Sequence, residues 1–144
     1  MNTEDIIARV STTVNASKDK VWEALVTPAI IKQYMFGAEV SSDFRKGSKI
    51  TWKGEWEGKS YEDKGEIREV EPGRLLEYSH FSPLSGDEDV PENYHTVTIE
   101  LAEKNGKTSV TLTQDNNPTD KAREHSEKNW QGMVDGLKKV LEKK

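Results

Sequence analysis

The sequence predicts an α+β domain in which a curved, six-stranded antiparallel sheet wraps around a long C-terminal helix. Three observations predict this class. Six separate segments have the patterns of strands, and in most of them apolar and polar residues alternate, as in half-buried strands. Two short helical segments follow the first strand, and the end of the chain carries apolar residues at helical spacing. The expected element order is therefore β-α-α-β-β-β-β-β-α.

The first third of the chain supplies a strand and two short helices. Alternation from Ile6 to Val14 predicts the first strand. Ser17 stands where a hydroxyl can cap the N-terminus of a helix over Lys18–Val26. Pro28 suits the first turn of a second helix, and Gly37 suits its end.

The middle of the chain has the two-residue period of strands. Residues Ile50–Glu57 alternate, and Gly58–Lys59 predicts a hairpin turn. The next strand covers roughly Ser60–Val70. Within it, Ile67 and Val70 are three residues apart, which breaks strict alternation and predicts a β-bulge.

Turn residues separate the remaining strands from one another. Pro72–Gly73 precedes a strand over Leu76–His80, and residues 82–93 form an acidic loop that either binds a cation or is a solvated connection. Asn105–Gly106 then predicts a hairpin between two further strands.

The last element is a long amphipathic helix. Its start is expected between Asn117 and Asp120, where capping residues and a proline occur together. Its apolar stripe consists of Trp130, Met133, Val134, Leu137, Val140 and Leu141.

Bulk composition limits the classes of function. The 144 residues have the length of one domain, which we expect to span residues 1–144. A net charge of −5 disfavours nucleic-acid binding, and the lack of cysteine excludes disulfides and thiolate metal sites. An acidic N-terminus and the lack of a long apolar run predict a cytoplasmic protein with no membrane span.

The predicted architecture favours an internal cavity. One helix is only about 10 Å wide, whereas strands lie about 4.8 Å apart, so a six-stranded sheet must curl around the helix. The mismatch in curvature leaves a gap of the kind that binds small molecules. The residues predicted to contact a ligand there are Ile50, Trp52, Trp56, Tyr78, His80, Val97, Met133, Leu137, Tyr34 and Phe36.

Several of these residues have a second, purely structural interpretation. Trp52 and Trp56 fit the cavity wall and the packed core equally well. His80 is either a polar group inside the cavity or a structural histidine that is partly exposed or hydrogen-bonded. His95 and His125 are interpreted as structural. The three histidines lack metal-ligand spacing and no acid–base set is convincing, so we predict no metal, no cofactor and no catalysis.

Some segments also resemble a known family. The sequence is similar to the START-like (SRPBCC) superfamily, and within it to the branch named for the C-terminal domain of the activator of the heat-shock protein 90 ATPase. Where many relatives carry a Trp, this chain has His80. The segments that carry the resemblance are Val21–Leu25, Tyr34–Gly37, Gly65–Pro72, Leu75–His80, Glu92–Thr98, Gln114–Asn116, Glu124–Trp130 and Gly136–Lys138.

The resemblance implies a helix-grip fold and adds two alternatives to the function. The leading prediction is a monomeric, non-enzymatic carrier or sensor of a lipophilic or aromatic small molecule. The first alternative is a co-chaperone that interacts with heat-shock protein 90. The second alternative is an enzyme similar to the polyketide cyclases.

Overall fold

The computed structural model describes residues 6–35, 37–56, 58–82, 88–90, 93–117 and 119–142, and of Trp56 only the backbone. Its strands form one sheet in the order β1-β7-β6-β5-β4-β3-β2. In chain order the elements are β1 (Ala8–Val14), α1 (Lys18–Val26), α2 (Pro28–Tyr34), β2 (Glu39–Ser42), β3 (Lys49–Trp56), β4 (Lys59–Glu71), β5 (Leu75–His80), β6 (His95–Lys104), β7 (Lys107–Gln114) and α3 (Asp120–Glu142).

The predicted order is confirmed with one correction, because the sheet formed by the described residues has seven strands and not six. The additional strand, β2, pairs antiparallel with β3, with Glu39 opposite Lys53 and Ser42 opposite Ile50. Only one of its four side chains, that of Val40, is buried. A single buried position cannot display a two-residue period, so β2 is recognisable only from its pairing.

Local signals account for most of the remaining boundaries. The bulge is present, as a register shift between Ile67 and Glu69. The hairpin at Asn105–Gly106 has the positive φ angles, 54° and 79°, that this dipeptide favours. The helix α3 begins at Asp120, within the predicted range. The turn after β3 lies one residue earlier than predicted, since Lys59 already pairs with Trp56.

The core lies between α3 and one face of the sheet, here called the inner face. That face carries the buried side chains of Ile67 and Val97, and α3 presents Met133, Val134 and Leu137 to it. This is the helix-grip arrangement, in which a long helix closes a curved sheet.

Polar side chains of α3 cover the free edge of β1. Glu127 accepts a hydrogen bond from the backbone nitrogen of Arg9 at 3.0 Å, and Lys138 donates one to the carbonyl oxygen of Thr13 at 2.8 Å. A free edge would otherwise be a template for pairing with another chain. Among the described residues, no helix is long and apolar enough to cross a membrane.

Candidate functional site

An apolar cavity lies where the inner face meets the three helices. Its volume is about 20 Å³, which is enough for one water molecule. Its wall combines residues from four strands, all three helices and the segments that follow α2 and β2. The lining residues are Leu25, Ile31, Tyr34, Met35, Val40, Phe44, Ile50, Trp52, Leu76, Tyr78, Ile99 and Met133.

The predicted contact residues fall into three groups. Those that line the cavity are Tyr34, Ile50, Trp52, Tyr78 and Met133. Val97 and Leu137 are fully buried in the core but do not contribute to the cavity wall, and His80 lies beside it. Phe36 and the side chain of Trp56 lie outside the described residues.

Tyr34 fixes the helix that covers the cavity. Its hydroxyl donates a hydrogen bond to the carbonyl oxygen of Ala24 at 2.8 Å, which ties α2 to α1. On its other side it lies against α3 at Gly136, where a Cβ would come 3.3 Å from the Cβ of Tyr34. Burial raises the pKa of Tyr34 and of Tyr78 far above the usual value of a phenol. Both hydroxyls therefore stay neutral.

Phe44 contributes to the cavity from the loop between β2 and β3, and sequence reasoning did not include it. Its φ angle of 52° is strained for a bulky residue. Ser42 Oγ accepts a hydrogen bond from the backbone nitrogen of Phe44 at 3.0 Å. Ser48 Oγ accepts one from the nitrogen of Arg45 at 3.2 Å and donates one to its carbonyl oxygen at 2.7 Å. These serines hold the loop in the conformation that places Phe44 at the cavity.

An aromatic row continues past the cavity along the inner face. The ring of Trp52 lies 5.2 Å from that of Tyr78 and 5.0 Å from that of His80, the latter in an edge-on arrangement. The Nε2 of His80 lies 2.9 Å from Asp63 Oδ2. His80 thus lies beside the cavity, in contact with Trp52 and with the carboxyl group of Asp63.

Asp63 is another residue that was not among the predicted contact residues. Most of β4 is polar on both faces, so alternation alone does not identify its inner side. Because successive side chains of a strand point to opposite faces, the buried Ile67 shows which residues of β4 face inward. Counting back from it places Asp63 on the inner face and Lys64 on the outer face. That is the signal that could have found it.

The remaining candidates, two histidines and the acidic loop, lie away from the cavity wall. His95 Nδ1 lies 3.0 Å from the carbonyl oxygen of Asp115, and His125 is exposed on α3. Asp89 in the acidic loop pairs with Lys64 and accepts a hydrogen bond from the hydroxyl of Tyr94, and these contacts lower its pKa. Within the described part of the chain, no group of three or more acidic or histidine side chains could hold a metal ion.

Known structures share this architecture. A protein from Cytophaga hutchinsonii, solved in solution, is 59% identical, with a TM-score of 0.83 over 94% of this chain and 93% of that chain. The Aha1 dimer from Colwellia psychrerythraea is 21% identical, with a TM-score of 0.74 over 95% and 96%. DynU16, a putative protein of the dynemicin biosynthetic locus, is 21% identical, with a TM-score of 0.80 over 96% of this chain and 48% of that chain.

At such low identity the last two likenesses show the fold alone. The comparison with curated proteins gives no significant match. A family model does match, over residues 15–142, and its description is Activator of Hsp90 ATPase homolog 1-like protein. With that match over most of its length, the chain belongs to the family of Activator of Hsp90 ATPase homolog 1-like proteins.

Proposed function

We propose that this protein binds a lipophilic or aromatic small molecule between the sheet and α3. The observation that carries the proposal is the apolar cavity at this position, whose wall is built from every layer of the fold. Small-molecule sites are typically apolar, with a few polar groups that fix orientation. Here the hydroxyls of Tyr34 and Tyr78 belong to cavity-lining side chains.

The cavity must expand before it can hold a lipophilic or aromatic molecule. Its volume is about 20 Å³, whereas ligand pockets usually measure about 300–1,000 Å³. The half-buried Met35 and Phe44 are the wall residues that can move outward at least cost, and Met133 can change rotamer within the core. Because the open state must first be populated, the apparent affinity for an arbitrary ligand is reduced. We expect micromolar or weaker dissociation constants.

A binding role fits these residues better than a catalytic one. A proton donor or acceptor at neutral pH needs a pKa near neutrality. Burial instead moves the pKa values of Tyr34 and Tyr78 away from it. Neither hydroxyl is therefore suited to acid–base chemistry on a ligand in the cavity.

The test is a titration with a panel of lipids and flat aromatic molecules, followed by NMR. The NMR signals of the Met133 methyl group and the Trp52 indole should shift. Those of Thr98 and Thr111, whose side chains lie on the other face of the sheet, should not; these two residues pair with Glu77 of β5 and Ser11 of β1. Native mass spectrometry of freshly purified protein would identify a ligand that co-purifies. If the whole panel leaves the cavity residues unmoved, the proposal is wrong.

The small size of the cavity favours a second candidate, a co-chaperone that contacts heat-shock protein 90. A protein whose interior is nearly filled can act through its surface without opening, and the family description names the activator of that chaperone. In that case, purified heat-shock protein 90 should shift a patch of surface amides. The effect should weaken with added salt if charge steers the encounter.

A further inference from the structure

A second cluster of side chains lies on the inner face beyond Trp52. We call it the Asp63 site; it consists of Trp52, Tyr61, Asp63 and His80. Asp63 stands directly opposite Trp52 in the β3–β4 ladder, so their side chains are neighbours on one face. Tyr61 is two residues from Asp63 on the same strand and shares that face. The cluster is partly open to solvent, with side-chain exposures of 15% for Asp63 and 21% for His80.

A glycine makes room for the tyrosine ring of this site. Gly54 stands opposite Tyr61 in the ladder, and a Cβ at residue 54 would lie only 2.7 Å from the hydroxyl oxygen of Tyr61. The ring of Tyr61 therefore lies over Gly54, next to Asp63. The carboxylate thus has aromatic neighbours from β3, β4 and β5.

Only one oxygen of the Asp63 carboxyl group has a partner among the described residues. Its Oδ2 pairs with His80, but Oδ1 is buried and has no hydrogen-bond partner among the described residues. The described ion pairs include none between Asp63 and a Lys or Arg. The pKa of Tyr61 is raised, first by burial and then by the negative charge of Asp63. A buried carboxylate oxygen without a donor is costly, and a ligand that supplies a donor would recover that free energy.

In its neutral form, the histidine can add a second acceptor. When Nε2 of a neutral imidazole carries the proton and donates it to Asp63, Nδ1 is left with a lone pair. The faces of the Trp52 and Tyr61 rings also carry a negative electrostatic potential. The site therefore offers acceptors and negative potential, which disfavour an anion and favour a donor that carries positive charge.

We propose that the Asp63 site binds the protonated amino group of an organic amine whose apolar part extends past Trp52 into the cavity. The amino group would donate to Asp63 Oδ1, and the aromatic rings would contact the carbons beside the nitrogen. A metal ion fits less well, because calcium and magnesium require six or more oxygen ligands. The apolar half of this inference rests on the proposed function, but the cation half does not.

Three probes with one naphthalene body separate charge from shape. They are naphthylmethylamine, which is a cation at pH 7, the neutral naphthylmethanol, and the anion naphthoate. Dissociation constants are measured by tryptophan fluorescence for the wild type, for Asp63→Asn, and for Glu62→Gln as a matched control. Glu62 is the exposed neighbour of Asp63 on the opposite face of β4, so its loss removes the same overall charge.

For the wild-type protein, the dissociation constant of the amine should be at least about tenfold lower than that of the alcohol, because only the amine forms a charged hydrogen bond. Asp63→Asn should remove that preference, and Glu62→Gln should keep it. Equal affinity for amine and alcohol, or a preference that survives in Asp63→Asn, would overturn the inference. If the alcohol binds as well as the amine in every variant, a neutral donor suffices and the cation site is wrong.

A second measurement uses only the wild-type protein, so it does not depend on whether the variants fold. In the wild type, the amine should shift the ring nitrogens of His80, whereas naphthoate should not. The methyl group of Met133 reports on the cavity separately. If Met133 responds to the probes without any preference for the amine, only the Asp63 site fails. If Met133 never responds, the proposed cavity binding fails.

Discussion

Gly65 lies against the carbonyl oxygen of Ser79, so closely that a Cβ at residue 65 would be 1.7 Å from that oxygen. The obstacle is backbone, which cannot rotate away as a side chain can. Two residues before Gly65 on the same strand, Asp63 reaches His80 of β5. The lack of a side chain at Gly65 therefore permits the close approach of β4 and β5 that forms the Asp63–His80 pair.

Gly65→Ala should consequently destabilise the protein strongly. We expect a loss of about 3 kcal/mol or more in the free energy of unfolding, because the strands must separate locally to admit the methyl group. Urea unfolding measures the loss, and the ring shifts of His80 report on the pair. As a control, Gly132→Ala on the exposed side of α3 should raise the stability by up to about 1 kcal/mol. Equal stability of the two variants would contradict this.

Stability should fall at alkaline pH because of Tyr34 and Tyr78. Burial raises both pKa values in the folded state, while an unfolded tyrosine releases its proton near pH 10. This contribution to stability is present in full below about pH 10 and is lost as the pH rises above it, at about 1.4 kcal/mol per pH unit for each tyrosine.

Unfolding curves between pH 8 and pH 11.5 measure that slope. Tyr34→Phe should cost about 1–3 kcal/mol at pH 7, because the carbonyl oxygen of Ala24 loses its donor. Above pH 10 its stability should nevertheless fall less steeply than that of the wild type. Parallel curves for the variant and the wild type would show that Tyr34 does not stay neutral through burial.

Phe44 should control access to the cavity. Removing its ring opens the wall between α2 and β3, so Phe44→Ala should increase the association rate of naphthalene severalfold, as measured by stopped-flow tryptophan fluorescence. Arg45→Ala, an exposed change in the same loop, should leave the rate unchanged. If neither variant alters the rate, ligand enters elsewhere.

The strain at Phe44 can be measured independently of any ligand. Phe44→Ala and Phe44→Gly both remove the ring, but only glycine adopts a φ of 52° without steric cost. The glycine variant should therefore be more stable than the alanine variant by about 1 kcal/mol. The opposite order in chemical denaturation would show that the loop relaxes when the ring is removed.

The apolar stripe of α3 should contribute unequally along its length. Leu137 is fully buried, whereas Leu141, one turn later, is half-buried. Leu137→Ala should cost about 2–5 kcal/mol in the free energy of unfolding, and Leu141→Ala clearly less. Similar losses in thermal and urea unfolding would mean that the end of α3 is held as firmly as its middle.

The sequence alone determined the order and type of nearly every element, because the signals for them are local. The cap at Ser17, the bulge after Ile67 and the turn at Asn105–Gly106 each depend on a few neighbouring residues, and the structure places all three where they were predicted. Alternation likewise identified the inner side of β3 and β5, which is why Trp52 and Tyr78 were predicted to face α3.

Only the tertiary structure decided the features that depend on distant contacts. The strand β2 exists because Val40 and its neighbours pair with β3. Asp63 meets His80, 17 residues away, because the register between β4 and β5 brings them together. The volume of the cavity depends on how closely many side chains pack, and no single segment encodes that. Phe44 reaches the cavity only because Ser42 and Ser48 hold a strained loop around it.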